Sequence, residues 1–160
     1  MKKEEIKIVL ATDHAGFELK TVIKNWLEKD GYDVLDIGAH SLVPEDDYPV
    51  YMSAAALKVA EDMVGKTKAI IFGGSGEGEA IVANRFPGVR AVVWYGDVGT
   101  KADLDIIKLS REHNDSNVLS VGARFVDADQ TKTAISKWLA TPFSGEAKHD
   151  RRNQLIDSIE

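Results

Sequence analysis

The chain has 160 residues, 44% of them hydrophobic, carries a formal net charge of −6 and contains no cysteine. The negative charge argues against a nucleic acid or a membrane surface as partner, because both attract a basic patch, and the missing thiols exclude disulfides, thiolate metal sites and a cysteine nucleophile. The sequence has neither a signal-peptide pattern nor an apolar run near the roughly 20 residues that span a bilayer, so we expect a cytoplasmic protein.

Short runs rich in β-branched residues alternate with longer amphipathic segments along the chain. The runs that predict strands are 6–12, 34–37, 68–72, 89–95 and 118–121. The segments that predict helices are 19–27, 49–64, 79–84, 100–112, 128–139 and 148–160. Strands that alternate with helices form a parallel sheet with helices on both faces. We therefore predict one α/β domain over residues 1–160, with a doubly wound five-stranded parallel sheet in the order 2-1-3-4-5.

Two chemically active segments are expected to converge in this fold. Open parallel sheets bind ligands at the carboxyl ends of their strands, where the strand order reverses. In the predicted order this point lies between strands one and three. Asp13 and His14 follow the first of these strands, and the glycine-rich turn Gly73–Glu79 follows the third. A pair that caps the core is the alternative reading for Asp13 and His14.

The glycine-rich turn (GGSGEGE) follows a strand and opens a helix, an arrangement that presents backbone N–H groups to an anion. A purely structural turn is the simpler interpretation. Nucleotide and hydrolase motifs fail on spacing. Glu79 and Ala80 stand where a P-loop needs Lys and Ser or Thr, the glycines run G-x-G-x-G instead of G-x-G-x-x-G, and Glu77 replaces the last glycine of a nucleophile elbow.

Two glutamates remain in or beside this turn. We expect a carboxylate there to stay ionised, because the N–H groups and the helix dipole favour charge. An ionised carboxylate beside N–H donors can act as a general base next to an oxyanion hole, which suits removal of a proton next to a carbonyl. An ordinary acidic residue in the first helical turn is the alternative for Glu79 and the preferred interpretation for Glu77.

Other polar segments lie further along the chain. Residues 111–117 (REHNDSN) are typical of a helix C-terminus and turn, and His113 within them precedes strand five. It can therefore reach a crevice at the carboxyl end only from a second subunit. Arg124 follows strand five and could reach a phosphate, while the basic residues of 148–152 form either a second anion site or a solvated face. The histidine spacing matches no metal-ligand motif, so we predict no metal site.

Five segments together resemble the type B ribose-5-phosphate isomerases, a family that includes galactose-6-phosphate isomerase subunits. They are ATDHAGFELK (11–20), DDYP (46–49), GGSGEGEAIVAN (73–84), GVRA (88–91) and REHNDSNV (111–118). The resemblance implies a Rossmann-like homodimer, or a tetramer of such dimers, with the C-terminal helix at the dimer interface and an active site shared between subunits. It implies interconversion of an aldose phosphate and a ketose phosphate through an enediolate, without a metal or a cofactor.

The resemblance also assigns roles by position. Many members have a cysteine base where this chain has Gly73, whereas a second branch has glycine there and a glutamate at the position of Glu79, which makes Glu79 the base. The implied oxyanion hole is formed by the backbone of Gly74, Ser75, Gly76 and Gly78 with the Ser75 hydroxyl. Asp13 and His113 are implied to open the sugar ring, and Tyr48 and Asn114 to contact the sugar hydroxyls. Phosphate binding is implied for His14, Arg124, Lys148 and Arg152.

Two features depart from the family pattern. Lys148 stands where members commonly have a second phosphate-binding arginine, and lysine lacks the bidentate fork. The segment 95–108 looks longer than in typical members and is expected near the rim of the pocket. The resemblance makes ribose 5-phosphate the first expected substrate, and the longer rim segment motivates a six-carbon sugar phosphate, such as allose or galactose 6-phosphate, as the second. A non-catalytic sugar-phosphate-binding module and a flavodoxin-like nucleotide binder are the remaining alternatives.

Overall fold

A five-stranded, all-parallel sheet forms the centre of the protein, whose computed structural model describes residues 3–96 and 105–159. The strands are β1 (Lys7–Thr12), β2 (Asp33–Gly38), β3 (Thr67–Gly73), β4 (Ala91–Trp94) and β5 (Val118–Gly122). The helices are α1 (Phe17–Lys29), α2 (Tyr48–Ala60), α3 (Glu77–Ala83), α4 (Ile106–Glu112), α5 (Ala128–Ala140) and α6 (Ala147–Asp157). The predicted α/β class is confirmed, and the predicted start of α4 near residue 100 lies outside the described residues. Within the described ranges, no helix has both the length and the apolar character that crossing a membrane requires.

The strand order is β2-β1-β3-β5-β4, so the predicted order 2-1-3-4-5 is wrong at one edge. β5 lies between β3 and β4, where Gly122 pairs with Gly73 and Val121 pairs with Trp94. β5 is buried along its whole length, whereas β4 is partly exposed, as an edge strand is. Hydrophobic pattern does not distinguish the two strands, because both are apolar. The crevice predicted between β1 and β3 remains, and the end of β5 now lies directly beside it.

Apolar layers cover both faces of the sheet. On one face the central strands pack against α1 and α5, with Ile23 and Trp138 fully buried there. On the other face they pack against α2 and α3, with Met52 and Ala83 fully buried. Strands covered on both faces read as continuous apolar runs, which is why the sequence predicts them clearly. The two layers leave the loops at the carboxyl ends of β1, β3 and β5 exposed side by side.

A buried ion pair ties α1 to the end of β2. Lys20 is only 2% exposed, and its Nζ donates to Asp36 Oδ1 at 2.6 Å and to the Ala39 carbonyl at 2.8 Å. Burial alone would raise the pKa of Asp36, but the hydrogen bonds from Lys20 and Lys24 outweigh it and lower the pKa. The pair holds the loop after β2 against the carboxyl end of β1, where the Ala39 N–H donates to the Thr12 carbonyl at 2.7 Å.

Candidate active site

A cavity of about 410 Å³ opens at the carboxyl ends of β1, β3 and β5. This is the crevice that the strand reversal predicts. It brings together eight of the predicted site residues, which are Asp13, His14, Tyr48, Gly74, Ser75, Gly78, Glu79 and Arg124. Ala15 and Phe125 complete the lining, and neither was predicted as a site residue.

The side chain of Glu79 folds back over Gly73. Glu79 lies in the first turn of α3 and is only 5% exposed. A Cβ atom at position 73 would stand 2.7 Å from Cγ of Glu79 and would overlap its carboxylate. The Glu79 carboxylate therefore occupies the space into which a side chain at position 73 would begin to project. Glycine at 73 and glutamate at 79 depend on each other sterically.

Burial raises the pKa of Glu79 above its ordinary value. The backbone N–H groups of Glu79 and Gly76 oppose this by favouring the ionised form, whereas the nearby charge of Asp13 adds to it. The sequence predicted that the turn would favour the ionised carboxylate, which corresponds to a lowered pKa. The pKa of Glu79 is raised instead, because desolvation outweighs the N–H groups. A carboxylate with a raised pKa is a better general base near neutral pH. Glu77 is exposed, in agreement with its interpretation as an ordinary helix-terminal acid.

Tyr48 and Arg124 rest directly on the glycine turn. A Cβ at Gly78 would lie 2.7 Å from the Tyr48 hydroxyl oxygen, and a Cβ at Gly74 would lie 3.2 Å from Cζ of Arg124. The Arg124 N–H also donates to the Gly74 carbonyl at 3.2 Å, which holds the loop after β5 against the turn. Because β5 neighbours β3, a guanidinium that follows β5 reaches the cavity wall. Glycines at 74 and 78 leave room for these two polar groups.

Gly76, predicted as part of the oxyanion hole, does not line the cavity. Its φ of +84° is left-handed, a conformation that favours glycine, and it begins α3. Its carbonyl accepts from the Ser120 hydroxyl at 2.6 Å, on the side of the turn that faces the sheet. Gly76 therefore shapes the turn from behind, whereas Gly74, Ser75 and Gly78 face the cavity.

Asp46 is a residue of this region to which no role was predicted. Its Oδ1 accepts from the His14 backbone N–H at 2.8 Å and lies 2.8 Å from Nδ1 of the His14 ring. Ligand atoms of Asp13, His14 and Asp46 all lie within 4.8 Å of one another, a grouping that could hold a cation and that histidine spacing could not reveal. The ring nitrogen of His14 is already engaged by Asp46. The acid pair before Tyr48 in the DDYP segment is the sequence signal that could have indicated Asp46.

The remaining predicted site residues lie outside the cavity, and they are His113, Asn114, Lys148 and Arg152. The ring of His113 stacks on that of His149 in α6, with centroids 4.0 Å apart and an interplanar angle of 11°. The Asn153 side chain, also in α6, donates to the His113 carbonyl at 3.2 Å. We call this group, which consists of His113, Asn114, Lys148, His149 and Arg152, the His113 cluster. One chain therefore carries two separate groups of predicted site residues.

Comparison with known proteins identifies the family. Residues 8–156 match the family described as Ribose/Galactose Isomerase. The chain belongs to this family. Ribose-5-phosphate isomerase B of Mycolicibacterium paratuberculosis is 35% identical over 97% of this chain and 92% of its own length, and that of Escherichia coli is 38% identical over 96% of each. The structure of ribose-5-phosphate isomerase B from Mycoplasma genitalium with bound ribulose-5-phosphate has a TM-score of 0.87 at 29% identity, covering 96% of this chain and 95% of that one.

Membership of the ribose/galactose isomerase family confirms the predicted resemblance, the Rossmann-like fold and the prediction that the chain is an isomerase. For this family member, the cavity provides three kinds of group. A buried carboxylate can accept a carbon-bound proton, a glycine turn with a hydroxyl can stabilise an oxyanion, and a guanidinium can hold an anionic group. The groups expected to open the sugar ring are divided, with Asp13 in the cavity and His113 outside it.

Proposed function

We propose that the protein is a ribose-5-phosphate isomerase in which Glu79 is the general base. The observation that carries the proposal is the buried Glu79 carboxylate, which lies over Gly73 at a cavity lined by Ser75 and Arg124. Its raised pKa suits a carboxylate that accepts and returns a proton. The names of the relatives, and the ribulose-5-phosphate bound in one structural neighbour, support a five-carbon sugar phosphate.

The proposed reaction is a proton transfer between adjacent carbons of the open-chain sugar. Glu79 removes the proton from C2, the C2–H electrons form a C1=C2 double bond, and the carbonyl electrons move onto O1. The Ser75 hydroxyl and the N–H groups of the turn stabilise the charge on that oxygen. Glu79 then returns its proton to C1 while the O2 proton passes to O1, which leaves a ketone at C2. No atom is gained or lost.

Two side chains of the cavity lining, Arg124 and His14, are suited to the phosphate. Arg124 packs over Gly74, and the His14 side chain, which is one-third exposed, lines the same cavity. A guanidinium binds phosphate with paired, charge-assisted hydrogen bonds, and an imidazole adds a further donor. Tyr48, whose hydroxyl lies against Gly78 in the cavity lining, contacts the sugar hydroxyls in this proposal. The substrate thus extends from the glutamate to the guanidinium.

A second subunit completes the site in this proposal. The His113 cluster is assembled within the chain by the stacking on His149, yet it lies outside the cavity that it is expected to serve. In the proposed two-fold homodimer, the cluster of each chain lies at the cavity of its partner. The C-terminal helix offers two exposed apolar side chains to such an interface, since Leu155 and Ile156 are 61% and 45% exposed. A homodimer therefore has two identical shared sites.

Mixing two inactive variants tests the shared site. Glu79→Gln removes the base from one half of each site, and His113→Ala removes a group from the other half. A heterodimer of the two variants has one doubly damaged site and one intact site. Activity should therefore appear when the two variants are mixed, dissociated and reassociated. With random pairing about half of the dimers are heterodimers, and each has one of its two sites intact, so the activity should reach up to about a quarter of the wild-type value. Mixtures that form heterodimers and stay inactive would contradict a site shared between subunits.

A substrate panel tests the reaction and the sugar. The wild-type protein should isomerise ribose 5-phosphate with the highest kcat/KM among five- and six-carbon aldose phosphates, as measured by formation of the ketose. A higher kcat/KM for allose or galactose 6-phosphate would assign a six-carbon substrate while keeping the chemistry. Calorimetric binding of sugar phosphates without any turnover would indicate a non-catalytic binding module instead.

A further inference from the structure

We infer that Asp46 is a positioning residue that fixes the His14 ring for phosphate binding. The inference rests on the proposed function, because His14 receives its role from it. It adds a residue to which neither the sequence motifs nor the resemblance assigned a task.

One oxygen of Asp46 holds both ends of His14. Oδ1 accepts the backbone N–H at 2.8 Å and contacts ring Nδ1 at the same distance of 2.8 Å. A side chain fixed at its backbone and at its ring has few rotamers left. Thirty-two residues separate the two positions in sequence, so the contact joins the loop after β1 to the segment before α2.

Burial makes this contact stronger than an exposed pair. The Asp46 side chain is 8% exposed, whereas the His14 side chain is 33% exposed and lines the cavity. Burial alone would raise the pKa of Asp46, but the hydrogen bonds from the backbone and ring of His14, with a further one from the Tyr51 side chain, outweigh it and lower the pKa. Asp46 is therefore an ionised carboxylate, which accepts hydrogen bonds and donates none.

The direction of the hydrogen bond follows from that charge. Because Asp46 only accepts, Nδ1 of His14 must carry the hydrogen, and Nε2 is the ring nitrogen left for a ligand. A second carboxylate, Asp13, lies farther away, with its Oδ2 at 3.9 Å from Nδ1. Oδ1 of Asp13 accepts from the Ala15 N–H at 2.9 Å, and its Oδ2 lies beyond hydrogen-bond distance of the ring, so Asp46 is the hydrogen-bonding partner of Nδ1. The arrangement resembles the orientation of metal-bound histidines by an outer carboxylate, here applied to an anion site.

A positioning role makes a specific kinetic prediction. Asp46→Ala should raise KM for ribose 5-phosphate about tenfold or more, as expected for loss of a charge-assisted hydrogen bond, and should change kcat by less than about threefold. Asp46→Asn retains an acceptor oxygen without the charge, so its KM should lie between those of the wild type and Asp46→Ala. Glu45→Gln, which changes an exposed carboxylate of the same loop, is the matched control and should leave KM unchanged.

A double-mutant cycle separates positioning from a merely structural effect. If Asp46 acts through the His14 ring, removing it in a His14→Ala background should change KM by less than about twofold. An equal loss in both backgrounds would overturn the inference. Thermal unfolding of all variants identifies any that lose the fold, and Asp46→Asn keeps the comparison available if Asp46→Ala does so.

The ring hydrogen gives a readout that does not depend on activity. In ¹⁵N–¹H spectra of histidine-labelled protein, at a pH where the ring is neutral, wild-type His14 should carry its hydrogen on Nδ1. Asp46→Ala should shift it toward Nε2. Wild-type His14 with its hydrogen on Nε2 would overturn the inference. Absence of wild-type turnover on every sugar phosphate would instead contradict the proposed function, and the tautomer would still decide the role of Asp46.

Discussion

Gly73→Ala should remove most of the activity by displacing the base. The backbone at position 73 is extended and accepts alanine, so the effect comes from space alone. The added Cβ would stand 2.7 Å from Cγ of Glu79 and would overlap its carboxylate, so the carboxylate must rotate away. A misplacement of about 1 Å in a reacting group can cost about 100-fold in rate. We expect kcat to fall by about this factor.

The same substitution should leave stability nearly unchanged. The atoms that must move are the end of one side chain, which can rotate toward the cavity that Glu79 lines. Replacing glycine by alanine also restricts the unfolded chain, which stabilises a protein by about 0.4–1 kcal/mol where the backbone permits it. The free energy of unfolding should therefore change by no more than about 1 kcal/mol. A large loss of stability would indicate that the backbone, and not the carboxylate, moved.

A double-mutant cycle with Glu79→Ala provides the control. Once the carboxylate is absent, Gly73→Ala has nothing to displace and should cost less than about threefold in kcat. The assay is the steady-state rate of ribulose 5-phosphate formation, with substrate affinity measured separately by calorimetry. Wild-type turnover in Gly73→Ala, or the same loss with and without Glu79, would refute the steric dependence between the two positions.

Three further predictions concern pH, stability and phosphate binding. The acid limb of kcat/KM should have its midpoint above 4.5, the ordinary glutamate pKa, because burial raises the pKa of Glu79 and protonation inactivates a base; a midpoint at or below 4.5 would count against Glu79. Lys20→Met should destabilise the fold by about 3 kcal/mol at pH 7, since it removes the shorter of the two ion pairs of the largely buried Asp36 carboxylate and leaves it with Lys24 and the Gly38 N–H. Because the folded-state pKa of Asp36 is lowered, the ion pair stabilises the fold above the unfolded pKa of about 3.9, and this stabilisation is lost as the pH falls through the folded pKa. In urea unfolding, Lys20→Met should therefore lose less free energy of unfolding below pH 4 than at pH 7. An equal loss at both pH values would refute the link to Asp36. Arg124→Ala should raise KM about tenfold or more, with Arg124→Lys intermediate, and an unchanged KM would exclude Arg124 from phosphate binding.

The sequence predicted the crevice well because its determinants are local. The runs that form β1 and β3 are apolar on both faces, and the polar residues that follow them begin where burial ends. Parallel strands bring such carboxyl-terminal residues to one edge, so Asp13 and the glycine turn met as expected. The strand order was not accessible in this way, because β4 and β5 are both apolar and only packing decides which one occupies the edge.

Long-range contacts account for what the sequence could not predict. The hydrogen bonds between Asp46 and His14 join two loops, and no periodicity relates them. Gly76 is the same residue type as the glycines at 74 and 78, and its left-handed backbone distinguishes it from them and turns it away from the cavity. The direction of the pKa shift of Glu79 depends on how completely the surrounding chain removes water, which local sequence does not reveal.

The turnover of Glu79→Gln on ribose 5-phosphate tests the central claim most directly. Glutamine has nearly the shape of glutamate, so the cavity and the contact with Gly73 are retained while the proton acceptor is lost. We predict that kcat falls at least about 100-fold, within the range that general bases contribute, and that the calorimetric Kd for ribose 5-phosphate stays within about threefold of the wild-type value. Turnover close to that of the wild type would contradict the assignment of Glu79 as the base.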